Sequence, residues 1–270
     1  MVRILDCTLR DGSHINNGFS QDCILETIKT AEISGIDFIE AGYKMPECLK
    51  SSKSKIGIMV DAKNFSCSHS ERSEESYQLL FQNNNKMADF VRVACYPEQI
   101  KTAINAVENF KEQGFGVFLH LMTADKFSDY KTLENWKNKN ILESVYFADS
   151  FGAFMPDDVE TIYKKLQDCG FENISFHAHN NLQLAFANTI KAIELGAYSV
   201  DASVFGMGRG AGNLPVELLL KYLNKDNSEY LELIKKYYVG LRKKYDWGYN
   251  YETLICGLEN IHPSKVKAIV

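Results

Sequence analysis

The sequence predicts an α/β fold, a closed (β/α)8 barrel of the TIM type forming a single domain with a short C-terminal helical tail, and three observations carry that reading. Short apolar runs of the kind found in covered parallel sheets alternate with helical segments along the chain. The chain has 270 residues, 45% hydrophobic and 24% charged, and such a barrel commonly takes about 250. The stretches richest in chemistry, RDGSH at 10–14, ADS at 148–150, HAHNN at 177–181 and GMGRGAGN at 206–213, each follow a strand, which would gather them on one rim.

The first strand is read over residues 2–7 (VRILDC) and runs into TLRDGSHINNG, a turn rich in glycine, asparagine and charge. A helix follows from Ser20, a suitable N-cap, to Ser34, with Ile24, Ile28 and Ala31 on one face and Gly35 as its stop. Strands two and three are DFIEAG (37–42) and IGIMV (56–60). Strand four, FVRVAC (90–95), leads at Pro97 into a helix that ends at Gln113 and Gly114, the usual order of proline at the start and glycine past the end. GVFLHLM (116–122), VYFAD (145–149), ISFHA (174–178) and SVDASVF (199–205) supply strands five to eight. Helices run from Asp157 to about Asp168, from Leu182 to Leu195, and onward from Pro215.

Two stretches fit the alternation less well. Residues 61–76 read as a polar, serine-rich loop with His69 solvated, and 125–140 as a short or irregular helix. Residues 1–224 are assigned to the barrel. Residues 225–270 form a charged helix and an aromatic tail (Tyr245, Trp247, Tyr249, Tyr251) packed on it; the other reading of the tail is a lid or a homodimer contact.

Composition narrows the function classes. A net charge of −5 without a basic stripe argues against nucleic acid as a partner. No apolar run approaches the roughly 18 residues of a membrane span, and no signal segment opens the chain, so a cytoplasmic protein without a membrane partner is expected. The seven cysteines stand singly with no CxxC spacing, which predicts reduced thiols.

His177 and His179 are two apart on a strand and therefore share a face. Two such imidazoles can reach one divalent ion, and a carboxylate from elsewhere would complete a three-ligand set with open positions. The plain alternative is a pair of hydrogen-bonded core histidines. Strands one and seven are both odd-numbered and feed the same interior layers, so Asp11 is placed to meet the two histidines.

LDCTLRDG at 5–12, HAHNN at 177–181 and GMGRGAGN at 206–213, in that order, resemble the signature set of the DRE-TIM metallolyase superfamily, the pyruvate carboxyltransferase-like or HMGL-like enzymes. The resemblance spans roughly residues 3–215 and is nearest to the catalytic domain of 4-hydroxy-2-oxovalerate aldolases. It implies that Asp11, His177 and His179 hold a divalent metal, Mn2+ or Mg2+ ahead of Zn2+, with Asn213 as a further ligand or a group behind the ligands. It gives Arg10 the role of stabilising an enolate; without it, Arg10 reads as a salt-bridge partner of Asp11 or Asp6.

His14 separates the branches of the family. Synthase-like members tend to read RDGEQ, whereas aldolase-like members place a histidine where this chain reads RDGSH, and an imidazole can move a proton near neutrality. ADSFGAFMP resembles an aldolase stretch that sets Ser150 beside the carboxylate of a bound 2-oxo acid. The absence of cysteine between Cys169 and Cys256 counts against the CoA-lyase branch.

The implied reaction is class II aldol chemistry: cleavage or formation of a 4-hydroxy-2-oxo acid from pyruvate and an aldehyde through a metal-stabilised pyruvate enolate. Small molecules, a 2-oxo acid and an aldehyde, are the expected partners. Longer aldolases of this type dock an aldehyde dehydrogenase through a C-terminal extension; this chain ends soon after the barrel, so that partner is not expected. The rival readings are an acetyl-CoA-dependent Claisen-type 2-oxo acid synthase and a non-catalytic barrel.

Overall fold

A computed structural model describes residues 1–15, 18–46, 48, 53–65, 81–82, 85–86, 88–262 and 264–265. The eight apolar runs become β1 (Arg3–Asp6), β2 (Phe38–Glu40), β3 (Lys55–Asp61), β4 (Phe90–Cys95), β5 (Gly116–Leu121), β6 (Ser144–Asp149), β7 (Ile174–Ala178) and β8 (Ser199–Ala202). They form one closed parallel barrel in chain order, sealed where β8 returns to β1 with Arg3 opposite Ser199 and Asp6 opposite Ala202. A two-residue hairpin, Phe81–Gln82 with Asn85–Lys86, lies apart from it.

Each strand feeds two different environments. Ile39, Val91, Val93, Leu119, Phe147, Phe176 and Val200 point outward into the layer shared with the helices. The alternate positions point into the barrel. There Phe38, Phe90 and Phe118 meet edge to face, with centroids 5.7, 5.4 and 5.1 Å apart, a geometry the ring quadrupoles favour. Gly57 makes room for them, since a Cβ there would sit 2.3 Å from a Phe90 ring carbon. Beside this apolar wedge, Ser144, Ser175 and Ser199 form a hydroxyl chain with spacings of 2.6 and 2.8 Å, ending on Tyr146 at 2.6 Å.

One position further along the inner rows stand Glu40, Arg92, His120, His177 and Asp201, all buried. The strands are therefore not the unalternating runs that the sequence suggested. A single charge at every second position is easily lost in an apolar run, and the barrel interior can hold such charges only because they pair with one another.

The helices follow the expected signals. In α2 (Gln21–Ile33) the Ser20 side chain accepts from Cys23 N, and Gly35 closes it at φ +68°. α3 (Ile100–Glu112) buries Ile100, Ala103, Ile104, Val107 and Phe110 at helical spacing. α4 (Tyr130–Asn135) is short, as read; α5 (Pro156–Asp168), α6 (Ala185–Glu194) and α7 (Val216–Tyr222) follow β6, β7 and β8.

Three differences from the sequence reading matter. TLRDG is a helical turn, α1 (Thr8–Gly12), rather than a loop, because Asp11 N bonds Cys7 O and every residue of the turn is buried. β8 stops at Ala202, since Phe205 and Gly206 adopt φ of 54° and 62° and turn the chain. Among the described residues no α-helix links β2 to β3 or β3 to β4; Asp61 still belongs to β3, Ala62–Phe65 is a 3-10 turn, and the rest of the serine-rich segment, with His69, lies outside the described residues.

Beyond the barrel come α8 (Ser228–Leu233), a π-helical turn (Ile234–Tyr238), α9 (Val239–Tyr245) and α10 (Tyr251–Glu259), the last missed by the sequence reading. Tyr230 OH donates to Asp6 Oδ2 at 2.8 Å, and Tyr238 OH meets Thr27 Oγ1 at 2.8 Å. Trp247 is buried and donates to Phe205 O at 3.2 Å, whereas Tyr249 and Tyr251 are exposed. No helix among the described residues is long and apolar enough to cross a membrane.

Tyr230→Phe removes one donor from the buried Asp6 carboxylate at the end of β1. Urea unfolding should show a loss of about 1–3 kcal/mol; an unchanged midpoint would mean that this contact does not help hold the barrel end.

Candidate active site

At the C-terminal mouth of the barrel, α1 aims Arg10 and Asp11 inward over the charged inner row. Arg10 Nε donates to Glu40 Oε2 at 2.7 Å, and Glu40 Oε1 faces Arg92 Nε at 3.5 Å. Arg92 Nη2 donates to Asp201 Oδ2 at 2.6 Å, and the same oxygen lies 2.8 Å from His177 Nδ1. His177 Nε2 then faces Asp11 Oδ2 at 3.8 Å, and Asp11 Oδ1 pairs back with Arg10 Nη1. These groups form a ring in which the carboxylates alternate with two guanidinium groups and the His177 imidazole, and each of its members is buried. Burial would raise the Asp11 carboxyl, but Arg10, ahead of His177 and His179, holds it well below the usual carboxylate range.

This geometry tests the residues for a cation. With its Nδ1 proton given to Asp201, His177 presents the Nε2 lone pair to Asp11. Two acceptors 3.8 Å apart make no hydrogen bond, but both can reach one ion at about 2.0–2.2 Å. The His179 ring lies 5.1 Å from that of His177, and burial, then His177 and Arg209, keep it neutral with a lone pair available. Asn213 Nδ2 donates to Asp11 Oδ2 at 2.5 Å, and its Oδ1 is buried without a hydrogen-bond partner. Gly208 is required beside it, because a Cβ would lie 2.8 Å from Asn213 Nδ2. A carboxylate, two imidazoles and an orphaned amide oxygen suit a divalent ion with mixed oxygen and nitrogen ligands.

Cys7, His177 and Asp201 also bring ligand-type atoms within 4.8 Å of one another. Burial, then Asp11 and Asp201, push the Cys7 thiol well up, and its Sγ donates to Ala202 O at 3.3 Å. Asp201 is already committed to Arg92 and His177, so this trio supports His177 from behind rather than competing for the ion.

The expected site residues are thus brought together with one exception. Asp11 does reach His177, but from α1 rather than from an interior layer of β1, so the layer rule was not what placed it. Asp6 is not the partner of Arg10; it accepts from Thr8 and Tyr230 instead. His14 stands at the mouth, a third exposed at 34%, with Nε2 4.0 Å from Asp11 Oδ1 and 3.1 Å from Tyr43 OH. Burial lowers its pKa, which leaves a neutral imidazole able to accept a proton.

Ser150 is the exception. It follows β6 outside the charged ring, and its Oγ accepts from Thr123 N at 2.8 Å. Its neighbour Asp149 accepts from Ala153 N at 2.8 Å and Phe154 N at 3.1 Å, and burial nonetheless raises its carboxyl to about 7.

Glu40, Arg92, Asp201 and His120 were missed in the sequence. Their signal was there: one ionisable residue inside each of FIE, FVRVAC, SVDA and GVFLHL, always at an inward position. His120 lies 5.6 Å from the His177 ring, and its Nδ1 is buried without a partner. Tyr43, at the mouth, carried no pattern of its own, and Arg209 was not singled out although it lies inside GMGRGAGN.

The chain is similar in sequence and fold to several known proteins. The HMGL-like family model matches residues 94–236. A 4-hydroxy-2-oxovalerate aldolase of Bacillus cereus is 32% identical over 238 residues, covering 83% of this chain and 70% of the relative. An oxaloacetate decarboxylase of Mycobacterium tuberculosis is 26% identical over 235 residues, covering 82% and 70%. Among solved structures, the N-terminal domain of a provisionally named aldolase from Bacteroides vulgatus superposes with a TM-score of 0.85 at 30% identity, covering 99% of this chain and 96% of that one.

Two outcomes test the arrangement. Asp201→Asn removes the anion that orients His177 and pairs Arg92, so calorimetric titration should show Mn2+ binding about 10- to 100-fold weaker; wild-type affinity would detach Asp201 from the site. Asp149 is the second. A carboxyl raised in the folded state stabilises the fold fully below its unfolded value near 4, and that contribution fades as pH rises through about 7. Wild type should therefore lose stability relative to Asp149→Asn between pH 4 and pH 7, and parallel urea profiles would contradict it.

Proposed function

The chain belongs to the HMGL-like family, and from that premise we propose that it is a divalent-metal-dependent aldolase that cleaves or forms a 4-hydroxy-2-oxo acid, with pyruvate and an aldehyde as the two halves. The observation that carries the reading is His14, a neutral, half-open imidazole at the mouth, 4.0 Å from the Asp11 carboxylate. Aldol cleavage needs a proton taken from the 4-hydroxyl, and a group at that position with that protonation state can take it. Decarboxylation, the activity in the name of one relative, leaves the same enolate but removes no hydroxyl proton, so it gives His14 no comparable task.

The other residues divide the remaining work. Arg10 is held by Asp11 and Glu40 on two nitrogens, and its Nη2 is buried without a partner. That leaves a fixed, desolvated donor for the oxygen on which negative charge develops. Ser150 accepts from Thr123 N, which leaves its own proton for the carboxylate of the 2-oxo acid. Tyr43 holds the His14 ring edge-on, with centroids 5.7 Å apart. A divalent ion on Asp11, His177, His179 and Asn213, Mn2+ or Mg2+ in preference to Zn2+, would supply Lewis acidity toward the oxo and carboxylate oxygens. Glu40, Arg92 and Asp201 touch none of the reacting atoms and instead fix Arg10 and His177 in place.

Deuterium exchange from solvent into the methyl group of pyruvate tests this directly. The wild-type enzyme should exchange in the presence of Mn2+ and stop when the metal is chelated; a synthase would enolise acetyl-CoA instead, and an inert barrel would do neither. His14→Ala should lower carbon–carbon cleavage about 10^2- to 10^4-fold while metal still binds. Unchanged turnover would remove His14 from the mechanism.

A further inference from the structure

Arg209 is a cation at the mouth that the mechanism above does not use. It sits in the glycine loop after β8, between Gly208 and Gly210, the latter at φ +63°. Its side chain crosses from that loop toward the end of β6, where Nη2 lies 3.5 Å from Ser150 O. On the other side Nη1 donates to His262 Nε2 at 3.2 Å, while His262 Nδ1 meets Ser264 Oγ at 2.8 Å. The guanidinium thus lies across the opening, and its charge reaches both His14 and His179, contributing to the lowering of each.

Neither contact neutralises it. A carbonyl oxygen and a neutral imidazole accept hydrogen bonds but leave the positive charge uncompensated. Among the described residues no carboxylate forms an ion pair with Arg209, whereas Arg10 and Arg92 each pair with two. A partly buried guanidinium without a counter-charge is costly unless an anion arrives, and its planar fork suits a carboxylate or a phosphate. In the reading above the carboxylate of pyruvate already has Ser150 and the divalent ion, and the oxo oxygen has Arg10. The molecule left without a charged partner is the aldehyde, whose oxygen His14 serves.

We propose that Arg209 binds an anionic group, carboxylate or phosphate, on the aldehyde, so that the second substrate of this enzyme is a negatively charged aldehyde. The assignment rests on the aldolase reading. In the synthetic direction the pyruvate methyl carbon loses one proton and bonds the aldehyde carbon, the aldehyde oxygen gains one proton, and no oxidant or reductant is involved. Arg209 acts at the far end of the aldehyde and takes no part in the proton movements.

The test compares matched aldehydes condensed with pyruvate in the presence of Mn2+: D-glyceraldehyde 3-phosphate against D-glyceraldehyde, and succinic semialdehyde against butanal. One charged member should be favoured in kcat/KM by about 10- to 100-fold, and the pair that shows it tells phosphate from carboxylate. In Arg209→Met the charged-to-neutral ratio should fall to near one, and Arg209→Lys should restore part of it. A residue that merely tied His262 to the barrel would lower both members of a pair by the same factor and leave the ratio where it was. No preference in the wild-type enzyme, or an unchanged ratio in Arg209→Met whatever the absolute rates, overturns the assignment. Absence of metal-dependent pyruvate exchange in the wild type overturns the aldolase reading and this inference with it.

Discussion

Buried charge has to be countered by charge, and the ring from Asp11 through Arg10, Glu40, Arg92, Asp201 and His177 is how this barrel meets that demand. Three carboxylates face two guanidinium groups, so the carboxylates are in excess by one. A divalent cation beside Asp11 would turn that excess into a modest positive one, and a carboxylate-bearing substrate would in turn be drawn to it. The ring therefore sets the sign of the site as well as its shape. The Arg92 guanidinium also stacks on the Tyr146 ring, 4.2 Å from its centroid, which ties the charged layer to the layer below.

That lower layer explains why the chemistry can sit where it does. The three phenylalanines fill one half of the barrel, and the serine chain with Tyr146 fills the other. Both halves are satisfied internally, one by contact and one by hydrogen bonds. The chemistry is gathered above them, at the rim. There Arg10 and His14 come from the end of β1, Ser150 from the end of β6 and Arg209 from the loop after β8, so three separate segments contribute and can vary independently of one another.

The barrel was legible in the sequence because outward-facing residues dominate each strand; FVRVAC and ISFHA matched their strands to the residue. The same dominance hid the site's framework. Glu40 and Arg92 look like stray charges in apolar runs until the barrel sets β2 and β4 on either side of β3 and brings the two side chains together. HAH was readable because its two histidines share one short stretch, whereas the ring is assembled from five separate ones. The RDG turn misled for another reason: glycine and charge signal a loop, but here Arg10 and Asp11 are neutralised by each other and by Glu40, and the segment can be helical and buried. In the tail, Asn250 and Thr253 cap α10 reciprocally at 2.9 Å, a signal obscured by the aromatic residues around it.

The seam between β1 and β8 has a consequence for how the molecule is made. Cys7 donates to Ala202 O across 195 residues of sequence, and the tail then fastens the glycine loop through Gly248 N to Gly210 O at 3.0 Å. A chain emerging from the ribosome must therefore keep one edge of β1 unpaired until β8 has been synthesised, and the loop bearing Asn213 is not fastened until the tail follows. Through most of translation the nascent sheet is open, with a bare strand edge and uncompensated inward charges. The ring that completes the finished barrel leaves the unfinished one with charge it has yet to pair.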